Sequence, residues 1–109
     1  MPKTTKLTSQ SFEKEVLQSS IPVLVDFWAP WCQPCIMMGP ALEELSEELA
    51  GRIKIAKLDV ESPENQQLAF QYQIRSIPNM KLFKEGKVVK NFIGLQPKEA
   101  LKSELEAEL

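Results

Sequence analysis

Apolar and polar positions change period several times along this chain, and each change marks an element. Val23-Leu24-Val25-Asp26-Phe27-Trp28 is short, β-branched at two positions and apolar except for one acid, which predicts a buried strand. From Cys35 onward, Met38, Leu42, Leu45 and Leu49 recur at three- and four-residue intervals, the spacing of one helix face. Pro34 falls in the first turn of that helix, where a missing N–H is tolerated because those donors are unpaired anyway. Pro40, further in, cannot donate to the Ile36 carbonyl and is expected to kink the helix. Gly51 supplies a left-handed stop.

The flanking stretches follow the same logic. Residues 3 to 7 are expected to form a short opening strand. Thr8 or Ser9 then serves as the N-cap of a helix burying Phe12, Val16 and Leu17, and Ser19-Ser20-Ile21-Pro22 breaks it. Ile53 to Val60 reads as a second apolar strand, interrupted by Lys54, Lys57 and Asp59. Ser62-Pro63 opens a helix through about Tyr72, with Leu68 and Phe70 as its apolar positions. Met80 to Lys84, a Glu85-Gly86 turn and Lys87 to Phe92 predict a hairpin. Pro97 opens a last helix, expected to bury Ala100, Leu101 and Leu105. The order β-α-β-α-β-α-β-β-α, without repeats or linkers, predicts one α/β domain over residues 1–109. Its sheet is expected to be largely parallel and covered on both faces, with an antiparallel hairpin at one end.

Composition narrows the function. A chain of 109 residues can bury a core without disulfide staples. Thirteen bases against 15 acids give a net charge of -2, with no basic cluster, which argues against a general nucleic-acid binder. The first residues, Met1-Pro2-Lys3-Thr4-Thr5-Lys6, lack the apolar stretch of a secretory signal, and no apolar run approaches the roughly 20 residues of a membrane span. The expectation is a cytoplasmic protein, or an organellar one whose targeting peptide has been removed. Histidine is absent, which removes Cys–His protease schemes and His-based metal sites.

The candidate chemistry is Trp31-Cys32-Gln33-Pro34-Cys35, which holds both cysteines of the chain. Such a pair can close a small disulfide, share a metal or sit as inert core thiols. A strand before it and a helix after it favour the first. Unpaired N–H groups and the positive end of the helix dipole point at Cys32 and favour its thiolate. Zinc normally takes four ligands, and no His or further Cys exists to complete a set. Asp26 is the one acid in its apolar strand. Burial there raises its pKa and makes it a candidate to accept the Cys35 proton.

Several stretches, in order and at this spacing, resemble the thioredoxin family over essentially the whole chain. They are Val25-Asp26-Phe27-Trp28-Ala29-Pro30-Trp31-Cys32, Pro34-Cys35, Pro40, Lys57-Leu58-Asp59-Val60, Ser76-Ile77-Pro78, Leu82-Phe83-Lys84-Glu85-Gly86 and Gly94-Leu95-Gln96-Pro97. The sequence departs from the family's pattern at three places. Gln33 stands where glycine is usual, Ile36 where a basic residue is frequent, and Asn79-Met80 where threonine and an aliphatic residue follow the Ile-Pro pair.

The resemblance implies a thioredoxin fold, with a central mixed five-stranded sheet flanked by four helices in three α/β/α layers. It implies a protein dithiol–disulfide oxidoreductase acting as a reductant and as a monomer. Such a protein is regenerated by a thioredoxin reductase, acts on disulfide-containing proteins and needs no bound cofactor or metal. Cys32 is then the nucleophile and Cys35 the resolving thiol of a redox disulfide, with Lys57 close to Asp26. Pro78 is implied to be cis, to face the cysteines and to keep metal off them, leaving the Ile77 backbone for an extended substrate. Trp31, Gln33, Pro34, Ile77, Pro78, Gly94 and Leu95 make up the substrate-binding surface, and Trp28 is expected in the core. The competing readings are an oxidant or isomerase of the same fold, a non-redox binding subunit, and a metal or iron–sulfur dimer joining two cysteine pairs.

Overall fold

In the computed structural model, residues 4–109 are described. Lys3, the expected start of the opening strand, lies outside the described residues. Five strands form one sheet: β1 (Thr5–Lys6), β2 (Val23–Trp28), β3 (Lys54–Asp59), β4 (Asn79–Lys84) and β5 (Lys87–Ile93), in the order β1-β3-β2-β4-β5. Around it run α1 (Glu13–Leu17), α2 (Gln33–Glu48), α3 and α4 (Lys98–Glu106). α3 starts as a 3-10 turn over Pro63–Asn65 and continues over Gln66–Gln71.

Parallel pairing is confined to β1, β3 and β2; β4 runs antiparallel to β2, and β5 antiparallel to β4. The reason lies in α3. Its 3-10 turn and six α-helical residues together rise about 15 Å, whereas a six-residue strand spans about 20 Å. The connection therefore does not carry the chain back along the sheet, and β4 starts at the end where β3 stopped. The sheet is the mixed one that the family resemblance implied, less parallel than the alternation of elements by itself suggested.

Alternation along each strand builds two cores, one per face. Leu24, Ile55, Met80 and Leu82 pack with Met38, Leu42, Leu45 and Leu49 at α2 and with Leu101 and Leu105 of α4. Val23, Val25, Phe27, Ala56, Leu58 and Phe83 pack with Phe12 and Val16, supported by Leu68, Tyr72 and Ile74. On the second face Tyr72 meets Phe83 edge-on at 5.4 Å between ring centres. This gives three layers, α/β/α.

Several local expectations change. Thr8 caps a turn rather than a helix: its Oγ1 accepts from the Ser11 N–H at 3.2 Å, and the helical segment begins later, wound as a π-helix. Ala100 is exposed, because burial on α4 falls on Leu101 and Leu105. Phe70 is 84% exposed, although Leu68 on the same helix packs inward. α2 runs as one helix through the exposed Pro40 to Glu48. Gly51 takes the left-handed conformation expected of a helix stop, with φ +81°. The Glu85-Gly86 turn has positive φ at both residues, the type I′ geometry that matches strand twist. A Cβ on Gly86 would stand 3.1 Å from the Leu17 carbonyl oxygen.

Gln73 ends α3 in a Schellman arrangement with φ +56°. Its N–H donates to the Phe70 carbonyl, and the Ile74 N–H to the Ala69 carbonyl. A non-glycine residue pays about 1 kcal/mol or more there, partly offset by the chain entropy glycine loses on folding. Gln73→Gly is expected to stabilise the protein by about 0.5 kcal/mol, read from urea midpoints at constant slope. A lower midpoint in the variant refutes this.

Candidate active site

Cys32 and Cys35 form a disulfide at the carboxyl end of β2, with Cα atoms 5.2 Å apart. The local chain dictates this. β2 ends at Trp28, the Cys32 N–H closes a turn onto the Ala29 carbonyl at 3.1 Å, and Cys32 becomes the N-cap of α2 in extended conformation. Its Sγ accepts from the Cys35 N–H at 3.2 Å, an orphan donor of the first helical turn. Gln33 and Pro34 occupy the first two helical positions, both exposed, as the missing proline donor permits.

The two sulfur-bearing residues are not equivalent. Cys35 is fully buried, whereas Cys32 retains 4% exposure. Ala29, Trp28, Val60 and Ile77 enclose the pair. The Ile77–Pro78 bond is cis, and the Ile77 carbonyl oxygen lies 3.8 Å from Cys32 Sγ. On the far side of Pro78, its carbonyl accepts from the Gly94 N–H at 2.8 Å. Pro78, Gly94 and Leu95 are thereby tied to the same end of the sheet as the cysteines.

Asp26 lies on the α2 side of β2, in register with Lys57 on β3. It is fully buried, and both carboxylate oxygens lack a hydrogen-bond partner among the described residues. Burial pushes its pKa up to about 7, with Lys57 pulling the other way. The Lys57 ammonium rests 4.4 Å above the centre of the Trp28 ring. Trp28 is therefore half-buried and capped by a cation rather than wholly internal. Beside them an open cleft of about 480 Å³ is lined by Thr4, Lys6, Trp28, Pro30, Glu43, Lys57 and Asp59.

Around the cysteines the surface is apolar. Trp31 is 65% exposed, and Leu95 is half-exposed. The structure adds Ile36, Met37 and Ile93, all exposed, which sequence reasoning left out of the site. The signal was present for two of them: Gln33, Ile36, Met37 and Pro40 share the helical stripe opposite the buried Cys35, Met38 and Leu42. Away from this surface, Asn65 is buried; it accepts from the Ser9 N–H at 2.9 Å and donates to the Asp59 carbonyl at 3.0 Å. Asn79, the departure after Pro78, is buried with its Oδ1 unpartnered among the described residues. Those residues include no group of three or more His, Cys, Asp or Glu placed to hold a metal.

The family model for thioredoxin matches residues 3–107. The chain is 45% identical to Thioredoxin 1 of Nostoc sp. over 109 residues, covering all of both chains. It is 46% identical to the thioredoxin of Synechocystis sp. over 106 residues, 97% of each chain. With the thioredoxin of Rickettsia felis it shares 50% identity over 95 residues, 87% of this chain and 89% of that one. A closed cysteine pair at a helix start, in a chain similar to thioredoxins from end to end, is the equipment of a dithiol–disulfide oxidoreductase, and the chain belongs to the thioredoxin family.

Proposed function

We propose that this protein reduces disulfides in other proteins and that a thioredoxin reductase returns its electrons. The observation carrying this reading is the asymmetry of the pair: Cys32 Sγ at the helix N-cap accepting a backbone N–H, and Cys35 sealed beneath it. In the reduced protein the Cys32 thiolate attacks one sulfur of the substrate disulfide. A Cys32–substrate bond forms, and the other substrate sulfur leaves as a thiol once protonated. Cys35 then loses its proton to Asp26 and attacks Cys32 Sγ. The internal disulfide closes, and the second substrate sulfur departs with the electron pair. Lys57, paired in register with Asp26, limits how far burial keeps that acid neutral.

Trp31, Ile77, Gly94 and Leu95 receive the substrate in this reading, with the Ile77 backbone beside Pro78 offered to an extended segment. Gln33 and Pro34 hold the helix start against it. The direction of electron flow follows from the environment of the sulfurs. A couple becomes oxidising when its thiolate is strongly stabilised. Here a single backbone N–H serves Cys32 Sγ, the Ile77 carbonyl oxygen stands beside it, and Cys35 is packed among apolar side chains. Such a couple suits a reducing compartment, cytoplasmic or organellar. Among the described residues no helix is long and apolar enough to cross a membrane.

Equilibrating the couple against glutathione tests the direction. A potential well below that of glutathione is expected; a value at or above it favours the oxidant or isomerase instead. About 30 mV corresponds to roughly 1.4 kcal/mol for two electrons, so the outcomes separate cleanly. Gln33 is exposed and donates no hydrogen bond to either sulfur. Gln33→Gly is therefore expected to move the potential by less than about 30 mV, a tenfold change in equilibrium constant.

A further inference from the structure

Phe70 carries the largest exposure of any large apolar side chain among the described residues, at 84%. A phenylalanine so exposed contributes little to folding and leaves its ring free for contact. Its position is the second observation. Phe70 lines an open cleft of about 350 Å³ with Gln71, Gln73, Ile74 and Arg75. A neighbouring cleft of about 300 Å³ shares Ile74 and Arg75 and reaches Trp31 and Ile77 at the cysteines. Through Ile74 and Arg75 the two form one surface from Trp31 and Ile77 to Phe70.

Charge supplies the third observation. Arg75 is the only charged residue lining either cleft. It is exposed and has no ion-pair partner among the described residues. The cations Lys98 and Lys102, by contrast, are tied to Glu44 and Glu48 of α2, and Lys90 to Glu104 and Glu108. On a chain of net charge -2, one free guanidinium between an apolar cleft and an exposed ring is complementary to a carboxylate beside an apolar side chain.

We infer that Phe70, Ile74 and Arg75 form a second docking subsite, which takes a segment of the disulfide-bearing partner that presents an apolar residue next to Asp or Glu. This rests on the reading of Cys32 as the nucleophile and adds a preference among substrates. The Schellman turn at Gln73 holds Ile74 and Arg75 against the end of α3, so the subsite is set by backbone hydrogen bonds.

The test uses the pre-reduced full chain in single turnover. Each probe is a peptide with one cysteine held as a neutral 2-pyridyl disulfide and a Phe-Glu, Phe-Gln or Phe-Lys pair three residues to one side or the other. The Cys32–Cys35 dithiol supplies two electrons and two protons, becomes the disulfide, and releases the peptide thiol and pyridine-2-thione, which is read by absorbance. For at least one placement, Phe-Glu is expected to react about fivefold faster than Phe-Lys at low salt, the scale of one exposed ion pair. Salt shrinks the ratio. Arg75→Gln is expected to abolish it, and Phe70→Ser to slow Phe-Glu and Phe-Gln peptides alike. Equal rates for Phe-Glu and Phe-Lys at both placements overturn the subsite, as does a preference that survives in Arg75→Gln. A Phe70-dependent dimer in sedimentation at assay concentration assigns the face to a second copy and also overturns it. Failure of the underlying reading looks different: thione release then persists in Cys32→Ser, whatever the peptide.

Discussion

Cys32→Ser is expected to reduce protein disulfides no faster than the uncatalysed background, whereas Cys35→Ser completes the first exchange and stalls as a covalent adduct. The difference follows from burial. A serine hydroxyl is a far weaker nucleophile than a thiolate at neutral pH. Cys35, fully enclosed beneath Cys32, cannot present its sulfur to a folded partner. With Cys35 intact and Cys32 gone, the thiol that remains is the wrong one. With Cys32 intact and Cys35 gone, the mixed disulfide forms and has no internal thiol to resolve it. Intact-protein mass spectrometry after mixing each reduced variant with a disulfide-bonded protein reads both results. An adduct on Cys35 in the Cys32→Ser protein contradicts the assignment of nucleophile and resolving thiol.

Asp26→Asn is expected to stabilise the protein strongly at pH 8 and hardly at all at pH 4. The acid has no hydrogen-bond partner for either oxygen among the described residues, and burial raises its pKa from 3.8 to about 7. Between those values the folded state binds more protons than the unfolded state, so stability falls as pH rises. The penalty is absent below about pH 4, grows through neutrality and levels off above about pH 7. A shift of about three units is on the order of 4 kcal/mol. Asparagine keeps the shape of the neutral acid and cannot ionise, so its stability curve lacks this fall. Urea titrations of the disulfide form at pH 4, 6 and 8 check it, and parallel curves for the two proteins reject it. If Asp26 takes the Cys35 proton as proposed above, the same variant should also slow closure of the internal disulfide. Lys57→Met, which takes away the cation opposing the shift, should leave the onset near pH 4 and extend the fall of stability to higher pH.

Much of this molecule can be read from local pattern. The buried run 23–28, the helical spacing from Cys35 to Leu49 and the Glu85-Gly86 turn each appear where short-range physics puts them. The redox pair is legible for the same reason: Cys32 and Cys35 are joined through one helix start, and the donor serving Cys32 Sγ is the Cys35 N–H, three residues away. The family resemblance added the cis bond at Pro78, which no local propensity would select.

Other features were decided only when distant segments met. Antiparallel placement of β4 depends on α3 being too short to carry the chain back along the sheet, a matter of lengths summed over a connection. Asp26 becomes a group of pKa about 7 because strands and α2 close over it while Lys57 arrives from the adjacent strand. Phe70 was one of the two apolar positions expected on α3, but it stands two residues from Leu68 on a different side of the helix and faces solvent, while Leu68, Tyr72 and Ile74 supply that end of the core. Spacing within a helix says which residues share a face, and only the packed sheet says which faces are left over. By itself the sequence determined the strand–helix frame and the chemistry at Cys32 and Cys35. Tertiary structure decided which acid is deprived of water, which apolar residues remain outside and which cations are tied into ion pairs, because burial and pairing belong to segments brought together across the fold.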